Sequence, residues 1–379
     1  RGRAREAIEP RPTAAVTWAA RATRFPAMPL SPGEPAPWFT APTLSNPEYV
    51  FDTVAGRYVL LVFLPADPDA AAPVLKAVAA RQRLFDDVRA SAFVVVRGDA
   101  PPPGAQDLRG LRWVLDRDGA VARLYEAVEP DGAERPRCVI LDPTLRVMGV
   151  TPAAKIEGAL DYIARLPAPG EHAGVPLHAP VLVLPRVFEP ELCRELIALH
   201  EARGGEFTGV MRDQGDRTVM VMDELKKRRD IFLRDPALQA PIRERIERRV
   251  FPQIERAMGF RCTRIERYLV SCYDAGDEGV FHAHRDNTTF GTAHRAFACS
   301  VNLNDDFEGG DVRFPEFGPA TYRPPLGGAV VFACGLLHEV TRVTKGRRYA
   351  FLPFYYDEAG AEVLAAYEAR TGQRLEPIG

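Results

Sequence analysis

Cysteine is scarce in this 379-residue chain. The six cysteines lie at positions 138, 193, 262, 272, 299 and 334, with no Cys-x-x-Cys pair. That excludes a disulfide scaffold and reads as reduced, mostly buried thiols in a cytoplasmic protein. Charge of one sign is also missing. Lys+Arg number 49 and Asp+Glu 51, for a net charge of −2, which leaves no electrostatic footprint for nucleic acid or an anionic membrane. No apolar run approaches the ~20 residues of a spanning helix; the longest, residues 58–66, is strand-length. Histidine is rare, at seven, so any cluster of it stands out. Proline, by contrast, is plentiful at 34, which predicts stiff loops and interrupted helices. The rest is ordinary for a soluble globular protein of two or three domains: 46% hydrophobic and 26% charged residues.

Residues 1–27 carry six Arg and two acids without a periodic pattern and are read as a disordered tail outside the fold. From there to residue 166, apolar runs alternate with helical spacing. Tyr58–Leu64, Phe93–Val96 and Arg137–Leu141 read as buried strands, residues 70–90, 120–127 and 152–165 as helices. Such alternation predicts an α/β sheet with crossover helices. Residues 167–180, rich in Pro and Gly, read as a linker. In the second half, 181–379, a strand at Val181–Leu184 precedes a helix at Pro190–Ala202. Residues 223–258 read as helical, because nine Lys/Arg and six Asp/Glu interleave between 223 and 249, the pattern of a solvated helix face. From Arg264 to Tyr356, short strands between Gly/Asn/Asp turns predict a barrel or sandwich.

The chemistry-bearing stretch is Gly279-Val-Phe-His-Ala-His-Arg-Asp-Asn287. On a regular strand His282, His284 and Asp286 share one face. Burying three such groups together is costly without a partner. Fifty-two residues after Asp286, His338 follows the apolar run Ala329–Ala333. Two His and one carboxylate on one side of a metal leave open positions, which suits non-haem Fe(II) and O₂ chemistry. Arg348 alternates with Ala350 and Leu352 and is expected to point inward, where its planar fork suits a dicarboxylate. A register slip of one would put Arg347 there instead.

These residues resemble the prolyl 4-hydroxylase type of 2-oxoglutarate/Fe(II) dioxygenase, in its branch similar to the HIF prolyl hydroxylases. The resemblance spans about 180–358 and includes Leu269-Val-Ser-Cys-Tyr273, His284-Arg-Asp-Asn287, Val301-Asn-Leu-Asn304, Gly309-Gly310, His338-Glu-Val340 and Arg348-Tyr349. It implies a double-stranded β-helix (jelly roll) with supporting helices. It carries the iron ligands over to His284, Asp286 and His338, and the 2-oxoglutarate carboxylate anchor to Arg348, with Tyr349 beside it favouring Arg348 over Arg347. Tyr273 matches a pocket tyrosine. Asn302 stands where relatives place a second co-substrate tyrosine, and its amide can still donate a hydrogen bond. The implied reaction uses Fe(II), 2-oxoglutarate and O₂, with L-ascorbate as reductant, and releases succinate and CO₂ while hydroxylating a protein or small-molecule substrate. A homodimer is an allowed assembly.

The first half resembles the peroxiredoxin branch of the thioredoxin-like α/β sandwiches, over about residues 30–165. The matching pieces are Pro32-Gly-Glu-Pro-Ala-Pro-Trp-Phe-Thr40, the strand ending at Pro65, Trp113-Val-Leu-Asp-Arg-Asp-Gly119 and Arg135-Pro-Arg-Cys-Val-Ile-Leu-Asp142. A peroxiredoxin needs a thiolate at the start of the helix after that strand. Counting from Pro65 puts the Thr position at Asp69 and the Cys position at Ala72, so both groups are missing. Cys138 lies in an apolar run and reads as a core thiol. Three alternatives stay open: a His-x-His cupin site of His282, His284 and His338; a metal-loaded sensor without turnover; and a thiol redox enzyme using Cys138.

Overall fold

The structure, a computed structural model, describes residues 30–98 and 100–374; the expected tail at 1–27 lies outside them. Strands of three residues or more are numbered in chain order. The first half builds one five-stranded sheet from β1 (Tyr58–Phe63), β2 (Ala90–Arg97), β3 (Leu111–Asp116), β4 (Arg137–Leu141) and β5 (Val147–Pro152), in the order β3-β2-β1-β4-β5. The β3, β2 and β1 strands run parallel, and β4 and β5 are antiparallel to their neighbours. Every side chain of β1 is buried. Odd and even positions feed two separate apolar clusters, Val59, Leu61 and Phe63 on one face, Tyr58, Leu60 and Val62 on the other. A continuous apolar run is what a strand covered on both faces requires.

Helix α1 (Pro68–Ala80) crosses between β1 and β2. Asp67 caps it by accepting from the Asp69 N–H, and Pro68 opens its first turn. It buries Val74, Ala77 and Val78, spaced three and four apart. The sequence predicted a helix reaching residue 90, but it stops at Ala80. The Asp86 carboxylate accepts from the Val88 and Arg89 N–H groups and folds 86–89 into a turn. Asp87 there takes φ +61° and pairs with Arg112 at 2.6 and 2.8 Å. Helices α2 (Ala120–Leu124) and α3 (Ile156–Arg165) complete this half.

The second half is mostly β. Its numbered elements are β6 (Leu182–Leu184), α4 (Pro190–Arg203), the hairpin β7 (Val210–Gln214) and β8 (Arg217–Val221), and β9 (Arg229–Phe232). Then come α5 (Pro236–Arg249), α6 (Phe251–Met258), β10 (Leu269–Asp274), β11 (Val280–His284), β12 (Phe297–Asn302), β13 (Ala329–Ala333), β14 (His338–Val340), β15 (Val343–Lys345), β16 (Arg347–Phe351), β17 (Phe354–Tyr356) and α7 (Glu358–Thr371). A large antiparallel sheet runs β17-β12-β16-β10-β9, with β13 and β6 branching from β12. A smaller sheet places β11 beside β14, flanked by Lys226–Lys227 and Val312–Arg313.

Alternation along the large sheet sorts its side chains. Val270, Cys272, Tyr349 and Phe351 join the helices in one core, with Ile242, Ile246 and Ile254. Leu269, Tyr273, Ala350 and Leu352 face the small sheet, where Phe281 and Val340 meet them. Within 223–258 the helical expectation is corrected at its start. Lys226–Lys227 and Arg229–Phe232 are strands, and helix begins only at Pro236, after the Asp235 cap. The charge-dense segment pairs with β10 in the large sheet, Asp230 opposite Ser271 and Ile231 opposite Val270, and tertiary pairing overrides the local charge pattern. Residues 167–180 do not hang free: Gly170 lies against Pro319, and Ala179 is buried in the core of the second half.

Candidate metal centre

Strand β11 delivers His284 and, just past its end, Asp286. Strand β14 delivers His338, directly opposite His284. One donor atom from each of the three lies within 4.8 Å of the others. Both imidazoles are fixed from behind. Nδ1–H of His284 donates to the His282 carbonyl at 2.7 Å, and Nδ1–H of His338 to the Leu336 carbonyl at 3.0 Å. A carbonyl only accepts, so each Nδ1 carries the proton and each Nε2 presents a lone pair. Those Nε2 atoms face the Asp286 carboxylate at 3.5 and 3.3 Å. Two lone pairs aimed at an anion form a cavity for a cation, the arrangement expected of metal-binding histidines whose other nitrogen is held by a carbonyl.

Electrostatics agree with that donor set. Burial, followed by the proximity of His338, lowers His284 to a pKa of about 4, so its neutral, ligating form prevails at pH 7. For Asp286 burial opposes ionisation, and positive charge on His338 and His284, present only where those imidazoles are protonated, pulls the carboxyl well below the usual range. Aromatic walls surround the trio: the Phe281 ring stacks on His284 with centroids 3.5 Å apart, and Phe332 lies 4.5 Å from His338.

His282 does not join them. The pairing of β11 with β14 slips between Phe281 and His284, and such a bulge breaks strict alternation. Phe281 therefore shares the inner side with His284, and His282 is exposed. The expectation that His282 shares the ligand face, and with it the His-x-His cupin alternative, is corrected by this bulge.

Arg348 lies on the face of the large sheet that is turned to the small sheet, 1% exposed. Its Nε and Nη2 donate to the Asn302 side-chain carbonyl at 3.1 and 2.9 Å, and Nη2 also donates to Ser300 Oγ at 2.7 Å. Its Nη1, buried, has no partner. An unpaired buried guanidinium nitrogen is costly and marks where an acceptor belongs. Burial lowers the Arg348 pKa from its ordinary value. Arg347, the alternative anchor, points outward and pairs with Asp274 at 2.6 Å. Tyr273 sits opposite Arg348 across the β10–β16 pair, its ring 5.4 Å beneath the guanidinium. Asn302 takes a different part from the one expected of it. Its carbonyl is held by Arg348 and its amide donates to the Pro324 carbonyl at 2.8 Å, so it orients the arginine. Gly310, at φ +69°, lets the backbone pass Arg348: a Cβ there would lie 3.0 Å from Arg348 Cδ.

Several polar groups here were not singled out from sequence. Arg228 donates through Nη1 to Tyr273 Oη at 3.2 Å and pairs with Asp230 at 2.9 Å; Asp230 also accepts from Ser271 at 2.6 Å. Burial opposes both charges, yet each holds the other ionised. Their signal was the Arg-x-Asp alternation ahead of the apolar Ile231-Phe-Leu233, masked by the surrounding charges. Arg267, two residues before β10, lays its guanidinium over Phe354 at 4.1 Å. In the first half, Cys138 is fully buried, and burial pushes its thiol up to about 12, the environment of an inert core thiol.

Residues 268–356 match the family model described as the 2OG-Fe(II) oxygenase superfamily. Two PKHD-type hydroxylases, from Synechococcus sp. strains JA-2-3B'a(2-13) and JA-3-3Ab, are each 27% identical over 117 residues, 28% of this chain and 51% of theirs. The chain thus spans about half the length of the curated relatives it matches. Among solved structures, the viral collagen prolyl hydroxylase vCPH of Paramecium Bursaria Chlorella virus-1 in its 2OG complex aligns with 46% of this chain and 94% of its own, at 13% identity and TM-score 0.36. A Trichoplax adhaerens prolyl hydroxylase, in complex with a hypoxia inducible factor peptide fragment, aligns with 48% and 86%, at 14% identity and TM-score 0.36. The stretch that carries His284, Asp286, His338 and Arg348 is the stretch that matches the 2OG-Fe(II) oxygenase superfamily.

Proposed function

We propose that the second half is a 2-oxoglutarate- and Fe(II)-dependent dioxygenase that hydroxylates a protein or small-molecule substrate. The observation that carries this reading is a pair of facing sheets that hold two very different unmet charge requirements. Two Nε2 lone pairs and a carboxylate converge within 4.8 Å, and a buried arginine nitrogen on the facing sheet has no partner. The first suits a divalent cation, the second a carboxylate. His284, Asp286 and His338 would hold Fe(II), and Arg348, oriented by Asn302 and Ser300, would grip the far carboxylate of 2-oxoglutarate. Tyr273, with its oxygen accepting from Arg228, is free to donate its own proton toward the same co-substrate. Iron, when bound, supplies O₂ activation coupled to oxidative decarboxylation of the keto acid. The chain's own contribution is to orient the co-substrate and keep the site dry, through Phe281, Phe314 and Phe332.

The fold reading goes with it: a double-stranded β-helix of two facing sheets from about 181, and a thioredoxin-like sandwich over 28–166. The strand order β3-β2-β1-β4-β5 and the crossover helix α1 support the latter. With Cys138 inaccessible, the first half is read as having no peroxidase activity. L-Ascorbate is the expected reductant, the cytoplasm the expected compartment. No helix of the described residues is long and apolar enough to cross a membrane.

The test is succinate release from 2-oxoglutarate by the full chain with added Fe(II), with mass spectrometry of cellular proteins after incubation in labelled O₂ to find the substrate. Fe(II)-dependent succinate in the wild type that disappears in Asp286→Ala supports the reading. Equal turnover in both overturns it, and metal uptake with no decarboxylation on any candidate substrate would favour a sensor.

A further inference from the structure

Three residues next to the metal-binding side chains, Ala283, Arg285 and Leu337, reach the first half. Arg285 separates His284 from Asp286, and its side chain is 3% exposed. Its Nε donates to Asp52 Oδ2 at 2.7 Å, across 233 residues of sequence. Its Nη2 pairs with Glu316 at 3.0 Å, Nη1 also donates to the Gly335 carbonyl, and its guanidinium lies 4.4 Å over the Trp38 ring. Leu337, immediately before His338, is fully buried, and its neighbours there are the first half's Phe51, Val54, Leu61 and Leu141 cluster; Ala283, immediately before His284, packs on the same cluster. At the edge of this seam Gly56 takes φ +91° and Pro315 lies against it: a Cβ there would come within 2.6 Å of Pro315 Cβ.

We infer that the first half is a positioning module for the metal site, and that Asp52, acting through Arg285, is a positioning residue for His284 and Asp286. The inference rests on reading His284, Asp286 and His338 as metal ligands. The β11 segment carries alternate residues to the metal cavity and to the other half, so the two faces share one backbone. A bulge already loosens this segment, and past residue 284 it leaves the strand. What then fixes Asp286 relative to His284 is the residue between them, and Arg285 is held by two carboxylates, a carbonyl and an indole face. Metal sites tolerate displacements of only about 0.5 Å in their supporting groups. Loss of an outer partner typically weakens metal binding roughly 10- to 100-fold.

The experiment measures Co(II) binding to the full chain, by calorimetry and by the visible absorption of the bound ion, with no turnover required. Asp52→Asn keeps the shape and removes the charge. It is expected to weaken Co(II) binding roughly 10- to 100-fold and to alter the spectrum, Trp38→Leu to act in the same direction, and Asp52→Glu to restore part of the affinity. Ile163→Ala, a cavity on the far face of the same sheet, is the control for general loosening: it should lower the melting temperature and leave Co(II) affinity unchanged. Should Asp52→Asn fail to fold, Trp38→Leu against Ile163→Ala carries the same comparison. Asp52→Asn and Trp38→Leu binding like the wild type would overturn the inference, as would equal weakening by Ile163→Ala. A wild type that takes up no Co(II) would instead remove the metal reading beneath it.

Discussion

The sheet of the first half and the large sheet of the second bury their central strands equally well and put opposite chemistry there. Strand β1 is apolar on both faces, each buried Val, Leu or Phe stabilising the fold by about 1.5–3 kcal/mol. The inner face of the second sheet holds Arg348, Ser300, Asn302 and Ser271, all buried, with Arg228 and Asp230 beside them. Burying such groups is costly, and their mutual pairing recovers that cost only in part. The difference marks one sheet as scaffold and the other as a site: polar side chains lie deep where a ligand is to meet them.

The sharpest break of that comparison is to change one residue of each kind. Asp286→Ala should reduce Fe(II)-dependent succinate formation by roughly 100-fold or more, since outer-shell losses alone cost 10- to 100-fold, while the thermal melt of the metal-free protein stays near the wild type or rises. It removes a buried carboxylate that faces the Nε2 atoms of His284 and His338. A melt that falls by many degrees would mean that Asp286 serves the fold rather than the site. Leu60→Ala, fully buried in β1, should do the reverse. It is expected to cost about 2–5 kcal/mol of stability, read from denaturant midpoints, with Co(II) affinity unchanged. Arg348→Gln comes next. It keeps a hydrogen-bonding group and loses the charge, worth about 1.5–3 kcal/mol in a charge-assisted bond, so KM for 2-oxoglutarate should rise roughly 10- to 100-fold with a smaller change in kcat. An unchanged KM would move the co-substrate away from Arg348.

The same contrast explains what could be read from the chain alone. Apolar runs announced β1, β2, β4 and β13, because a doubly covered strand has no other pattern. His284, Asp286 and His338 stood out because histidine is rare and the spacing familiar, and parity along β16 turned Arg348 inward. The exclusion of His282 could not be read: it depends on a slip in pairing between β11 and β14, which exists only once both strands are present. Arg228 and Asp230 were hidden by their own charge. In sequence, ionic residues signal solvent, and only the partners reveal a buried pair. Arg285 and Asp52 were beyond reach for a simpler reason, since no local pattern links two residues separated by half the protein.

Lys226 is the most extreme member of the polar region and gives the smallest and most specific effect. Its ammonium is buried, donating to Thr208 Oγ1 and to the Gly209 carbonyl at 2.9 Å, with Asp230 at 3.4 Å. Asp230 is already engaged by Arg228, so it compensates Lys226 only partly. Burial, then the nearby Arg228, lowers the lysine from 10.5 to about 7. The unfolded chain therefore holds a proton between pH 7 and 10.5 that the folded chain has released. Stability must rise with pH across that window, by at most about 1.4 kcal/mol per pH unit; below pH 7 both states are protonated and this contribution is flat. Urea midpoints for the wild type and Lys226→Met at pH 7, 8 and 9 isolate it. The wild type should gain stability relative to Lys226→Met at each step. Parallel curves would mean that Asp230 serves both cations and that the lysine stays charged. The inner face would then be better compensated than its burial suggests, and the contrast with the apolar sheet correspondingly weaker.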